Sequence, residues 1–388
     1  MRTISAAKLW DGSTLLDNPV LTIEDGHIAS ISTGATEAAD HHFPTAMLAP
    51  AFFDVHIHGS AGHDVMEATP EALGAIGRFL ASRGTGSFLA TTVTAPLDMT
   101  LRALDGLARL IDHPDAIPSS GPTTRPIGIH LEGPFLSHAK CGVQPKEHLL
   151  EPSIATFDRL YEAAGGHARL MTLAPELPGA IELAAHATRR GVRVSVGHSD
   201  ATAAETRAAV AAGAVSATHT FNAMRALDHR EPGILGTVLT TESLFAELIC
   251  DGIHSDPAIV DLWWRAKGPH RGILITDAMS AAGMPDGEYT LGGFAVQVAN
   301  GRAMARGVLA GSVLTLDRAL ANFTQFTGAP LDDSLRLLTV NPAAMTGFAE
   351  QTGSVSVGRP ANLVAVDKAG KLLASIHEGQ LIAGSQPA

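Results

Sequence analysis

The chain has 388 residues, 45% of them hydrophobic and 17% charged, with 39 acidic against 27 basic side chains for a formal net charge of −12. That composition excludes a disordered chain and a small disulfide-stapled scaffold, and its negative balance argues against nucleic acid or an anionic membrane surface as partner. A phosphorylated small molecule stays compatible with it, because a local basic pocket can oppose the global sign.

The N-terminal stretch MRTISAAKLWDG lacks the basic start and apolar core of a secretory signal, and no apolar run approaches a membrane helix. The expectation is a soluble, cytoplasmic protein. Cys141 and Cys250 lie far apart with no CxxC pattern and read as free thiols. Residues 1–50 contain a short strand pair, PVLTIEDGHIASIS at 19–32, with a turn at Asp25-Gly26. Eight β-rich runs follow: 52–57, 86–93, 126–132, 168–174, 191–197, 214–220, 245–251 and 271–277. Helical patterns at 70–84, 179–191, 201–213 and 256–268 fall between them, most ending in the glycine of a C-cap.

Eight strands alternating with helices predict an α/β fold, a (β/α)8 TIM-type barrel, with an open doubly wound sheet as the alternative. The Gly-rich segment 278–312 reads as a long loop or hairpin, and 353–388 returns to short β runs. The expected organisation is a barrel at 51–349 inserted in a small β-sandwich made from 1–50 and 350–388.

Barrel active sites are assembled at the C-terminal strand ends. There the chain places His56 and His58, two apart and on one strand face, then Glu132, His198, His219 and Asp277. Four histidines and two carboxylates suit one or two divalent transition metals. Each residue also has an ordinary reading: a hydrogen-bonded His pair, an Asp capping a helix, a Gly marking a turn. Five strand ends carrying such residues together favour the metal site. No GxSxG nucleophile motif is present, which argues against a covalent acyl-enzyme.

The succession HxH, HLEGPF, GHS, THTFNAM, REPG, DGIH and TDA resembles the N-acetylglucosamine-6-phosphate deacetylases of the amidohydrolase superfamily, from about residue 48 to 367. The resemblance implies a metal-dependent barrel with an accessory sandwich from both termini, which hydrolyses the acetamide of a phosphorylated amino sugar. It implies Glu132, His198 and His219 as principal ligands, His56 and His58 as ligands of a second metal, Glu132 as the bridge and Asp277 as the catalytic acid–base. The divalent ions would be zinc or iron. Asn222 and Ala223 match contacts to the substrate phosphate, and Arg230 and His254 match further substrate contacts, the Arg reaching across a homodimer. Without that context Arg230 reads as a surface cation and His254 as a residue at a helix start.

Where the family commonly has KGxH, this chain reads KCGVQP, with Gln144 at the position of a His thought to polarise the acetyl carbonyl. Gln144 is therefore either a neutral hydrogen-bond donor or a loop spectator, with His148 as a substitute donor. Cys141 in the same loop reads as a plain or a redox-sensitive thiol. Other functions left open are N-acetylgalactosamine 6-phosphate deacetylation, hydrolysis of another N-acyl compound or cyclic amide, and a catalytically silent barrel that binds.

Overall fold

The computed structural model describes residues 1–34, 39–118 and 121–382. Eight parallel strands form the central sheet in sequential order: Phe52–Ile57, Thr85–Thr92, Arg125–Glu132, Ala168–Leu173, Arg193–Val196, Ala214–Ala217, Phe245–Ile249 and Gly272–Ile275. Each coincides with an expected run to within a few residues. The sheet closes between its first and eighth strands, where Asp277 N–H donates to His56 O at 2.9 Å and His58 N–H to Ala278 O at 2.8 Å. At the opposite end Leu337 and Leu338 carbonyls accept from Leu274 and Phe53, wedging the two strands apart. The result is the expected (β/α)8 barrel and not an open sheet.

The expected helices are present, and local chemistry explains their starts. Helix Pro70–Ser82 has Pro at its first position and Thr69 accepting from Ala72 N–H, and Ala203–Ala211 carries a Thr202/Glu205 capping box. Other helices escape the sequence reading, chiefly Leu97–Asp112, Ile154–Ala163, Gly233–Thr240 and Leu316–Thr327. In the first of these Ala103, Leu104, Leu107 and Leu110 face the core, while Asp98–Arg102 and Asp105–Arg109 pairs line the solvent side.

Both chain ends build the second domain. Strands Arg2–Trp10, Pro19–Glu24, His27–Thr33 and His41–Pro50 join Leu363–Val366, Leu372–His377 and Gln380–Leu381 in one hydrogen-bonded sheet. His41–Pro50 sits in the middle, parallel to the first strand and antiparallel to Leu363–Val366. This sheet encloses its own core of Ile4, Leu9, Leu21, Ile28, Leu48, Leu363 and Ile376, distinct from the barrel core. The expected hairpin at 19–32 is present, and residues 383–388 of the expected C-terminal segment lie outside the described residues. The segment 278–312 is more ordered than a loop: its residues 287–309 form a four-stranded antiparallel sheet over the barrel mouth. Alternation there is short and interrupted by Gly292-Gly293, Gly301 and Gly307, which mask the strand signal.

Candidate active site

Strand alternation aims Asp54, His56 and His58 inward while Val55 and Ile57 face the surrounding helices. All five are buried. Asp54 anchors the seam beneath the site, accepting from the Thr276 hydroxyl at 2.5 Å and from His56 N–H at 3.3 Å. Burial pushes the Asp54 carboxyl up to about 7, against the pull of those hydrogen bonds.

At the barrel's C-terminal mouth the six expected ligand residues converge in two groups, His56–His58–Asp277 and Glu132–His198–His219, each with ligand atoms within 4.8 Å of one another. Glu132 lies between them: Oε1 is 3.2 Å from His198 Nε2 and 3.0 Å from His219 Nε2, and Oε2 is 3.3 Å from His58 Nε2. Asp277 Oδ1 is 3.1 Å from His58 Nε2 and 3.5 Å from His56 Nε2.

The imidazoles are oriented from behind. His58 Nδ1 faces Thr91 O at 3.0 Å and His198 Nδ1 faces Lys140 O at 3.0 Å, so each presents Nε2 to the centre. His56 Nδ1 is 3.2 Å from Glu247 Oε2, and its Nε2 is buried with no hydrogen-bond partner. An oriented, unpartnered buried nitrogen beside two carboxylates is the donor a divalent cation requires. The residues present therefore fit a metal.

Burial alone would raise the Glu132 carboxyl, but the charge of His56 and hydrogen bonds from His198 and His219 hold it well below its ordinary value. Asp277 is likewise held down, by the charge of His56 and by His58. His130, also at the end of the third strand, is turned away: its Nε2 lies 2.8 Å from the Thr172 hydroxyl, and burial pushes it well below the ordinary histidine value.

Three of the expected ligand residues, His198, His219 and Asp277, have φ of +46°, +29° and +50°. Non-glycine residues are uncommon there, and each costs roughly 1–3 kcal/mol unless its surroundings enforce it. The tight backbone continues around them. Gly133 of HLEGPF, at φ +92°, would place a Cβ 2.3 Å from Thr94 Oγ1, and Gly311, at φ +63°, one 2.9 Å from Asp277 O.

A cavity of about 250 Å³ opens above the cluster. Asn222, Ala223 and His254 line it, together with the apolar Val93, Leu291 and Leu309. Asn222 Nδ2 is buried without a hydrogen-bond partner, and His254 is held by Asp251 through Nδ1 at 2.7 Å. Ala223, at φ +51°, accepts Ser199 N–H on its carbonyl. Gln144 is buried and also lines the cavity, its Nε2 2.7 Å from Glu132 Oε2.

Arg230 does not join them. It is exposed outside the cavity, in a turn where Asp228 Oδ1 accepts its backbone N–H at 2.8 Å. Cys141 is buried against Leu136 and Leu149 and Cys250 lies in the barrel core, both unbridged. A larger cleft, of about 600 Å³, lies against the terminal sheet around Ser87, Arg125, Asn362 and His377, away from both ligand groups. No described helix is long and apolar enough to cross a membrane.

Sequence reasoning missed Glu247, Thr91, Lys140 and Asp251, which hold the imidazoles. Only Glu247 gives a signal in the sequence: a lone carboxylate inside the otherwise apolar strand FAELI.

A closed parallel barrel with a His/carboxylate cluster at its C-terminal mouth is the arrangement of a metal-dependent barrel hydrolase. The amidohydrolase family model matches residues 47–382, and the chain belongs to that family. It is 39% identical to N-acetylgalactosamine-6-phosphate deacetylase of Escherichia coli O157:H7, with 94% of each chain covered. It is 37% identical to N-acetylglucosamine-6-phosphate deacetylase of Bacillus subtilis, over 95% of this chain and 93% of that one. Among solved structures, it is similar to an aspartate-to-alanine variant of the Mycobacterium smegmatis N-acetyl-D-glucosamine-6-phosphate deacetylase, in complex with N-acetyl-D-glucosamine-6-phosphate. That likeness has a TM-score of 0.91, at 34% identity and 98% coverage of both chains.

Proposed function

We propose that this chain hydrolyses the acetamide of N-acetyl-D-glucosamine 6-phosphate to glucosamine 6-phosphate and acetate. The observation that carries the reading is the convergence of both ligand groups on one cavity that Asn222, Ala223 and His254 also line, offering polar groups to a substrate. Glu132, His198 and His219 would hold one divalent ion, zinc or iron, and His56, His58 and Asp277 a second, with Glu132 between them. When bound, such an ion supplies Lewis acidity, polarising an amide carbonyl and making water more acidic.

The chain's own residues do the rest. Asp277 takes the proton of the attacking water and returns it to the departing nitrogen, because an amide anion is too poor a leaving group to depart unprotonated. Asn222, Ala223 and His254 bind the sugar phosphate at a distance from the scissile bond, which orients the amide over Asp277. Gln144, fixed against Glu132, has a second N–H to donate to the developing oxyanion. The exposed Arg230 reaches the phosphate of a neighbouring subunit, making the active form a homodimer. A phosphorylated sugar does not cross a membrane unaided, which supports a cytoplasmic enzyme.

The galacto epimer is a second reading, favoured by the 39% identity to a galactosamine-6-phosphate enzyme. Acetate release from both phosphorylated N-acetylamino sugars and from unphosphorylated N-acetylglucosamine tests the proposal. Faster turnover of the gluco phosphate is expected. Preference for the galacto epimer selects the second reading, and release from neither phosphate removes both.

A further inference from the structure

Glu247 is a charged site group that neither motif nor cavity accounts for. It lies midway along the seventh barrel strand, between Ala246 and Leu248, and none of its side chain is exposed. Its Oε2 is 3.2 Å from His56 Nδ1 and 3.3 Å from His219 N–H, so one oxygen touches a residue of each ligand group. Its Oε1 is buried with no hydrogen-bond partner. Among the described residues, His56 is the only basic side chain in ion-pair range of it.

A buried carboxylate is costly unless a positive charge or hydrogen bonds answer it. Among the described residues no Lys or Arg does so. The compensation has to come through His56, whose Nδ1–H donates to Glu247 while its Nε2 faces the centre without a partner. A carboxylate behind an imidazole fixes the tautomer, locks the ring and makes the far nitrogen a stronger donor to a cation. The other imidazoles are backed differently: His58 and His198 by neutral carbonyls, and His219 Nδ1 by nothing. Only the His56 position has an anionic partner behind it.

We infer that Glu247 is a positioning residue for the second divalent ion, and that occupancy of the His56–His58–Asp277 group depends on it. The inference rests on the two-metal reading above. Because Glu247 also accepts the His219 backbone N–H, it holds the two ligand groups in fixed relation across the barrel.

The experiment is a metal titration of the purified full-length chain. Metal per chain is measured by elemental analysis, and affinity by chelator competition with zinc, for wild type, Glu247→Gln and Glu247→Ala. Wild type is expected to hold two ions. Glu247→Ala should keep one and bind the second about ten- to a hundredfold more weakly. Glu247→Gln keeps the acceptor oxygen and the volume but loses the charge, so its second-site affinity should fall between the two, with metal-free melting close to wild type.

A merely structural Glu247 would lower melting without changing the affinity of the second ion. Two ions bound with wild-type affinity in Glu247→Gln and Glu247→Ala would overturn the inference and leave the two-metal reading intact. A single ion in wild type would overturn both, and none of these readouts depends on which sugar the enzyme takes.

Discussion

Gln144 Nε2 lies 2.7 Å from Glu132 Oε2, while Gln144 Oε1 accepts the Thr94 backbone N–H at 2.8 Å. The Thr94 contact decides which end of the amide faces the carboxylate, so the side chain presents N–H and not oxygen to the centre. One of its two N–H bonds is engaged by Glu132, and the other is available toward the cavity.

Gln144→Ala should therefore lower kcat by roughly 10²–10³-fold, the scale of losing one oxyanion donor. Gln144→His, which restores a donor, should be tolerated. Steady-state kinetics with metal content measured in parallel check this. An unchanged kcat in Gln144→Ala would make the residue a spectator, and a matching loss in His148→Ala would move the role to His148.

Asp277→Asn should fold normally and lose turnover by about 10²–10⁴-fold. Asp277 sits at φ +50° on the barrel seam, where its backbone donates to His56 O and accepts from Ser312 N–H. Asn tolerates that left-handed conformation as well as Asp does, so the seam survives while the proton acceptor is lost. Unaltered melting with near-normal acetate release would remove Asp277 from the mechanism.

The eight barrel strands are legible in the sequence because each is a short β-rich run, and the six candidate ligands are legible because they cluster at the ends of five of those runs. Glu247 is visible as an acid in an apolar strand, yet its role depends on His56 and His219, contributed by other strands. Helix Leu97–Asp112 is hidden because Asp98, Arg102, Asp105 and Arg109 are interspersed along the sequence with Ala103, Leu104, Leu107 and Leu110, and the two sets separate onto opposite faces only once the helix forms. The placement of Arg230 was no clearer from sequence, since a position outside the cavity is set by tertiary packing.

Metal affinity should rise with pH. In the metal-free protein burial alone would depress His58, but hydrogen bonds to Asp277 and Glu132 and their charges push it up to about 9. A protonated imidazole cannot ligate, so occupation of His58 Nε2 releases a proton below that pH, and affinity climbs by up to about tenfold per unit. The folded value stands above the ordinary 6.5, so the stabilisation it brings is complete below 6.5 and is lost as pH rises through about 9. Melting of chelated and metal-loaded protein across that window should show the chelated form losing ground. A chelated form that gains relative stability with pH would contradict this.

Arg230→Ala should raise KM for the phosphorylated sugar with little change in kcat, because a contact remote from the reacting atoms contributes uniform binding. Sedimentation of the wild-type enzyme should give a dimer. If Arg230→Ala leaves the preference for phosphorylated over unphosphorylated sugar unchanged, Arg230 has no part in phosphate recognition.

The most direct measurement is acetate release from N-acetyl-D-glucosamine 6-phosphate by chelated protein as zinc or iron is returned in measured equivalents. No turnover is expected without metal, with activity recovering as ions are added and levelling at two per chain. His58→Gln should hold fewer ions and plateau earlier and lower. Full acetate release by the chelated chain, or none by a chain loaded with two ions, would contradict metal-dependent deacetylation at this site.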